Sequence, residues 1–194
     1  MKKIIGIIMI LAGISLIAFS GFAKYKVYKN QKDMINAFEN TIKDVDKEKT
    51  YTDDSEIKSK DLDNIKGAIG IITIPKINLK AAICEGIESE NLKYAVGHFP
   101  GTPLPGEMGN FCIAGHRSYT YGEFFNRLDE LQVDDEIIVK TNINEYKYKV
   151  YEKKVVEPSE ISVLDNTKEP IITLVTCTPI RIATHRLIIK GKLE

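Results

Sequence analysis

The chain has 194 residues with 27 basic and 27 acidic side chains, and so no formal net charge at neutral pH. That length supports one domain with a sizeable core plus additional segments. Bases are interspersed with acids rather than blocked, which excludes the one-signed face of a nucleic-acid binder, and three cysteines, an odd number, do not make a disulfide framework.

Lys2 and Lys3 precede an apolar segment, Ile4 to Ala23, with no charge and only Ser15 and Ser20 as polar side chains. About 20 such residues suffice to span a bilayer as a helix. Gly21 to Ala23 also suit a cleavage site, but the apolar core of a signal peptide runs only about 7 to 15 residues, so residues 1–23 are read as an uncleaved anchor. Lys24, Lys26 and Lys29 follow the span, and with lysines at both ends the positive-inside rule does not orient it. Val27, Met34, Phe38, Ile42 and Val45 recur at helical spacings, which predicts a continuation of the helix to about Val45 with a stripe that packs on the domain or on a second copy. Asp46 to Lys66 is poor in apolar residues and reads as a flexible tether. Residues 24–66 thus form a stalk and linker, and residues 67–194 the folded domain.

In that domain Ile69–Ile74 and Leu79–Ile83 read as strands around a turn marked by Pro75. Ser89–Ala95 reads as a short helix capped by Ser89. Gly97–Gly109 is dense in Gly and Pro and reads as loop, delivering the chain into a strand over Asn110–Ala114. Phe124, Phe125, Leu128 and Leu131 have helical spacing and are assigned to core packing. Glu136–Lys140 and Tyr146–Val156 read as strands joined through Asn142–Glu145. Ile171, Ile172, Leu174 and Val175 form a run of the kind buried on both faces; Thr178 and Pro179 end it, and a last strand begins near His185. Many short strands with few helices argue for a mostly β fold, a closed barrel.

Cys84 and Cys112 lie inside apolar runs and are assigned to the core, whereas Cys177 sits at a strand end. Its bland reading is a buried cysteine beside a surface arginine. The sharper one is that two strands joined by a loop bring the Cys177 thiol and the Arg186 guanidinium into one site, where fixed positive charge favours a thiolate or steadies an oxyanion. His116, distant in sequence, completes the signature of thiol nucleophilic catalysis. His98 in the Gly-Pro loop is a competing base, or a side chain that bonds that loop in place. His185 adjoins Arg186, and strand alternation turns it to the opposite face. Arg181 in the loop and Arg117 beside His116 compete for the guanidinium role.

TLVTC from Thr173 to Cys177, HRLII around Arg186, AGH ending at His116, and GHFPGTPLPGEMGN from Gly97 to Asn110 together resemble the sortases, cysteine transpeptidases of Gram-positive cell surfaces. The resemblance covers roughly Gly67 to the C-terminus. It implies an eight-stranded sortase-type β-barrel with short helices behind an N-terminal transmembrane helix. It also implies a catalytic trio of Cys177, His116 and Arg186, and a catalytic domain outside the cell. The implied substrate is a surface protein with an LPXTG-like signal cut between Thr and Gly, and the acceptor an amine of a cell-wall precursor. No cofactor is required; some sortases bind calcium through loop carboxylates, but Glu157, Glu160, Asp165 and Glu169 read equally as solvated loop charges. The wording TCTPIRIATHR looks closest to class D, with class A open, and the acidic-aromatic lid motif of pilin-polymerising sortases does not occur. Two alternatives stand beside this reading. One is an L,D-type cell-wall transpeptidase, which carries Ser-x-Gly-Cys where this chain has Leu-Val-Thr-Cys; the other is a membrane-tethered binding module with an inert Cys177.

Overall fold

The computed structural model describes residues 2–48, 68–117 and 124–194. Helix α1 runs unbroken over Lys2–Glu48. Its first half leaves Ile8, Leu11, Leu16 and Phe19 exposed, an apolar surface that lipid would satisfy. Among the described residues it is the one helix long and apolar enough to cross a membrane.

The second half of α1 turns its stripe onto the domain. Phe38 and Ile42 pack against Ile71, and Met34 and Ile35 against Ala82, Cys84 and Ala95. Polar contacts flank the seam: Gln31 Nε2 donates to the Lys80 carbonyl at 3.2 Å, and Lys80 Nζ pairs with Glu39 at 2.7 Å. Of the two surfaces the stripe could cover, the domain is the one it meets. The tether read over Asp46 to Lys66 lies, beyond Glu48, outside the described residues.

Eight strands follow: β1 Ala68–Ile74, β2 Leu79–Glu85, β3 Val96–His98, β4 Asn110–Ala114, β5 Glu136–Lys140, β6 Glu145–Val156, β7 Ile171–Thr178 and β8 His185–Leu193. They close a barrel in the order β1-β2-β3-β4-β7-β8-β6-β5, which leaves no free sheet edge. The pairs β2/β3 and β4/β7 are parallel and the rest antiparallel. Pro75 opens a 3-10 turn between β1 and β2 that closes on Asn78, at φ 53°; the short helix α2 covers Ser89–Leu92. Inside the barrel, Ile72, Phe111, Phe125, Tyr148, Ile172 and Leu174 belong to one cluster.

Two expectations are revised. Val96–His98 is a strand, although Gly97 and His98 fall in the stretch read as loop; its partners β2 and β4 are distant in sequence, and three residues are too few for a periodic signal. Ser89 does not cap α2, since Glu88 holds the N-cap position without a side-chain hydrogen bond. Phe124, Phe125, Leu128 and Leu131 are buried core side chains, as assigned, and Leu128–Glu130 coils as a 3-10 turn. Apolar spacing there records packing, not a full helix.

Candidate active site

The site is assembled by the register of three neighbouring strands. Cys177 on β7 lies directly across from Arg186 on β8, in an antiparallel pair that continues as Thr176↔Leu187 and Val175↔Ile188. Directly opposed residues put their side chains on the same face, so thiol and guanidinium share a face of the sheet. On the other flank β4 runs parallel to β7 with Ala114 beside Val175. Two residues further on, Cys177 still lies on β7, and His116 stands just past the end of β4.

Alternation decides which side of the barrel wall this is. Ile172 and Leu174 on β7 and Leu187 and Ile189 on β8 point into the barrel core, so Val175, Cys177, Arg186 and Ile188 point outward. The outward face is covered by the segment between β6 and β7, which explains why β7 reads as buried on both faces. Between wall and cover lies a cleft of about 370 Å³ that includes His116, Cys177 and Arg186 together with Phe99, Val163 and Ile188. A larger cleft, about 450 Å³, lies between α1 and the barrel, lined by Val27, Tyr28, Ile77 and Phe124 among others. No cysteine or histidine lines it, so volume does not mark the chemistry here.

The ends of β4 and β7 are tied together. Gly115 N–H donates to the Val175 carbonyl at 3.1 Å, and Thr176 Oγ1 donates to the Gly115 carbonyl at 2.7 Å. A side chain at Gly115 would meet the Phe125 ring at 2.7 Å, so a glycine precedes His116 because the aromatic core leaves it no room. Arg117 extends the tie: Nη1 donates to Thr178 Oγ1 at 2.7 Å, Nε to the Asn126 carbonyl at 3.3 Å, and Nη2 pairs with Asp129 at 2.8 Å. Its fork is fully committed beneath the site, so Arg117 is a strut between the residues that follow His116 and Cys177. The sequence offered it only as a third guanidinium; the partner that makes it a strut, Thr178, lies far along the chain.

The remaining candidates separate in space. His98 is buried, with Nδ1 2.7 Å from Glu85 Oε2 and Nε2 2.8 Å from Thr102 Oγ1, and it is not among the residues that line the cleft. It bonds the Gly-Pro loop in place through Thr102. His185 pairs with Glu157 at 3.0 Å. Arg181 is exposed in the β7–β8 loop at φ 70°. Arg186 holds its Nη1 against the carbonyls of His185 and Ala183, at 3.0 and 3.3 Å; among the described residues that is the one nitrogen of its guanidinium that is hydrogen-bonded.

Burial sets the reactivity of the three thiols apart. Cys84 and Cys112 are buried and Cys177 half-exposed; desolvation pushes Cys84 up to about 11 and Cys112 up to about 12, which keeps both as unreactive thiols. Burial pulls His116 below the ordinary imidazole range, which favours its neutral form. Among the described residues no group of three or more His, Cys, Asp or Glu side chains could hold a metal. Of the loop carboxylates, Glu157 is paired with His185 and Glu169 with Lys192.

A closed mostly β barrel whose wall brings a thiol, an imidazole and a guanidinium into one cleft defines a candidate cysteine-dependent enzyme. The family model for the sortase domain matches residues 72–194, and the chain belongs to the sortase family, whose members are cysteine transpeptidases. It is 30% identical over 200 residues to Sortase D of Bacillus subtilis (strain 168), covering 99% of this chain and 98% of that protein. It is 29% identical over 206 residues to Sortase A of Listeria monocytogenes, covering 100% of this chain and 92% of that one. Among solved structures, the Sortase D5 transpeptidase of Clostridium perfringens superposes with a TM-score of 0.64 at 37% identity, over 82% of this chain and 99% of that one.

Proposed function

We propose that this protein is a membrane-anchored transpeptidase that cleaves an LPXTG-like sorting signal between Thr and Gly and transfers the surface protein to an amine of a cell-wall precursor. The observation that carries the reading is the cross-strand pairing of Cys177 with Arg186 in the cleft that also takes His116.

The chemistry follows from what amide exchange needs. Cys177 attacks the carbonyl carbon, and His116, neutral at the outset, takes the thiol proton as the carbon–sulfur bond forms. Arg186, with nearby backbone N–H groups, holds the tetrahedral oxyanion. His116 gives its proton to the departing amine as the carbon–nitrogen bond breaks, leaving a thioester. An incoming amine then attacks the thioester, His116 removes its proton, and the thiol leaves with that proton. No step requires a metal. The half-buried cleft and its apolar walls suit an extended peptide with small apolar side chains. The relatives include class D and class A members, and the wording around Cys177 favours class D. The catalytic domain lies outside the cell, held by α1.

The test is to offer the protein a panel of sorting-signal peptides and read a covalent acyl adduct on Cys177 by mass. Cys177→Ala should form no adduct and cleave nothing while remaining folded. Retained turnover in that variant would sink the reading.

A further inference from the structure

Asn110 opens β4 with a fully buried side chain, and its polar groups reach across two other parts of the fold. Nδ2 donates to the carbonyls of Val163 and Asp165, both at 3.0 Å. Oδ1 accepts from Thr173 Oγ1 of β7 at 2.6 Å. The backbone N–H donates to Asn166 Oδ1 at 3.2 Å. Gly109, at φ 123°, leaves the space for that last contact: a Cβ there would come within 2.0 Å of Asn166 Oδ1.

Strand alternation places Asn110 on the same outward face of β4 as Ala114, which lines the cleft together with His116 just beyond the strand, and Thr173 on the same face of β7 as Val175 and Cys177. One stripe of the barrel wall therefore carries this cluster at one end and the thiol and imidazole at the other. The 161–166 segment lies over that stripe. Ile161, Val163 and Leu164 wall the cleft, and no strand pairs with the segment among the described residues. A buried asparagine could merely satisfy a polar gap in the core. This one instead directs both donors of its amide to carbonyls of the cleft wall, where a buried, fully bonded group fixes position most firmly.

We propose that Asn110 is a positioning residue for peptide binding: its amide holds the 161–166 segment at its height over the cleft, so that a peptide enters a wall already formed. The inference rests on the reading of this cleft as a peptide site. A wall that must be ordered at the moment of binding weakens binding without altering the chemistry of a peptide once bound.

The test uses the full-length protein in detergent micelles and three variants. Asn110→Asp keeps the acceptor for Thr173 and removes both amide donors; Thr173→Val keeps the donors and removes the strand bond; Asn166→Ala removes, from an exposed side chain, the acceptor for the Asn110 backbone N–H. Asn110→Asp should raise KM for a sorting-signal peptide about tenfold or more with kcat within about threefold. It should leave the rate of Cys177 alkylation by iodoacetamide unchanged, and speed amide hydrogen exchange of residues 161–167 relative to β4 and β7. Thr173→Val should keep KM within about twofold. An unchanged KM in Asn110→Asp, or a parallel loss of kcat and Cys177 alkylation with KM unmoved, overturns the proposal. If Asn110→Asp does not fold, Asn166→Ala decides: faster exchange at 161–167 with a smaller rise in KM supports the clamp, and unchanged exchange overturns it. A wild-type protein that turns over no sorting-signal peptide refutes the proposed function instead, and the exchange and alkylation readings then decide the clamp alone.

Discussion

Arg186 and Arg181 carry the same charge on the same short stretch of chain, yet only Arg186 stands across from Cys177. A guanidinium that steadies an oxyanion acts in the transition state, so its loss should lower turnover far more than binding. Arg186→Ala should reduce kcat by about 10²- to 10³-fold, and Arg186→Lys should recover only part, since lysine supplies charge without the fork. Arg181→Ala should cost less than about tenfold, mostly in KM. Steady-state kinetics on one peptide with a fixed amine check this; a crippled Arg181→Ala beside a tolerant Arg186→Ala would move the guanidinium role. His116 makes a separate claim about pH. Because burial lowers its proton affinity, kcat/KM should fall as the solution is acidified, with a midpoint below the ordinary value of 6.5. The sign for stability is the same: the unfolded chain binds the proton first, so the contribution of neutral His116 is present above pH 6.5 and drains away as pH falls through its folded value. An acid limb centred above 6.5 contradicts the burial argument.

At the scale of elements, the docked half of α1 is the part of the fold that can be tested independently of the barrel. Phe38 and Ile42 meet Ile71 in a cluster of their own, separate from the cluster that fills the barrel. Phe38→Ala should therefore weaken helix docking by about 3 kcal/mol while the barrel keeps its melting temperature within a few degrees. Limited proteolysis with thermal denaturation reads both: cleavage between residues 27 and 42 should accelerate. A barrel that melts together with the helix would show that the two clusters are one cooperative unit. Elements of this kind were legible as far as their own pattern went. The stripe on α1 was plain from spacing, but spacing could not choose between the domain and a second copy as its cover. Strand β3 left no pattern, since two distant partners and not its three residues define it.

For the whole molecule, the question is how the barrel meets the envelope. Val27, four residues beyond Ala23, is the first buried side chain of α1, so contact with the domain begins about 6 Å along the helix from the end of the apolar span. Tyr25 and Tyr28 remain exposed at that level, where amphipathic rings favour a membrane interface. The full-length protein should stay in the membrane fraction through a high-salt wash, and protease added to cells stripped of their wall should release a fragment containing Cys177. Recovery of a soluble protein starting near Lys24 would show a cleaved signal peptide instead.

The sequence by itself determined the apolar N-terminal segment, the mostly β domain and the three residues worth placing together, because each rests on local chemistry: a long uncharged run, short β-branched runs, a cysteine at a strand end and the words around it. It also marked His98 as a residue that could bond its loop in place, which the Thr102 contact bears out. Tertiary structure decided what depends on partners far along the chain. Register alone sets Cys177 across from Arg186 and carries β4 alongside β7 so that His116 and the thiol line one cleft. Tertiary bonds alone turn Arg117 from a spare cation into a strut, and tie the Asn110 amide to Thr173 and to the Val163 and Asp165 carbonyls. An amide or a guanidinium looks the same in sequence whether it faces water or spans three elements; only the packed barrel fixes which carbonyls it meets.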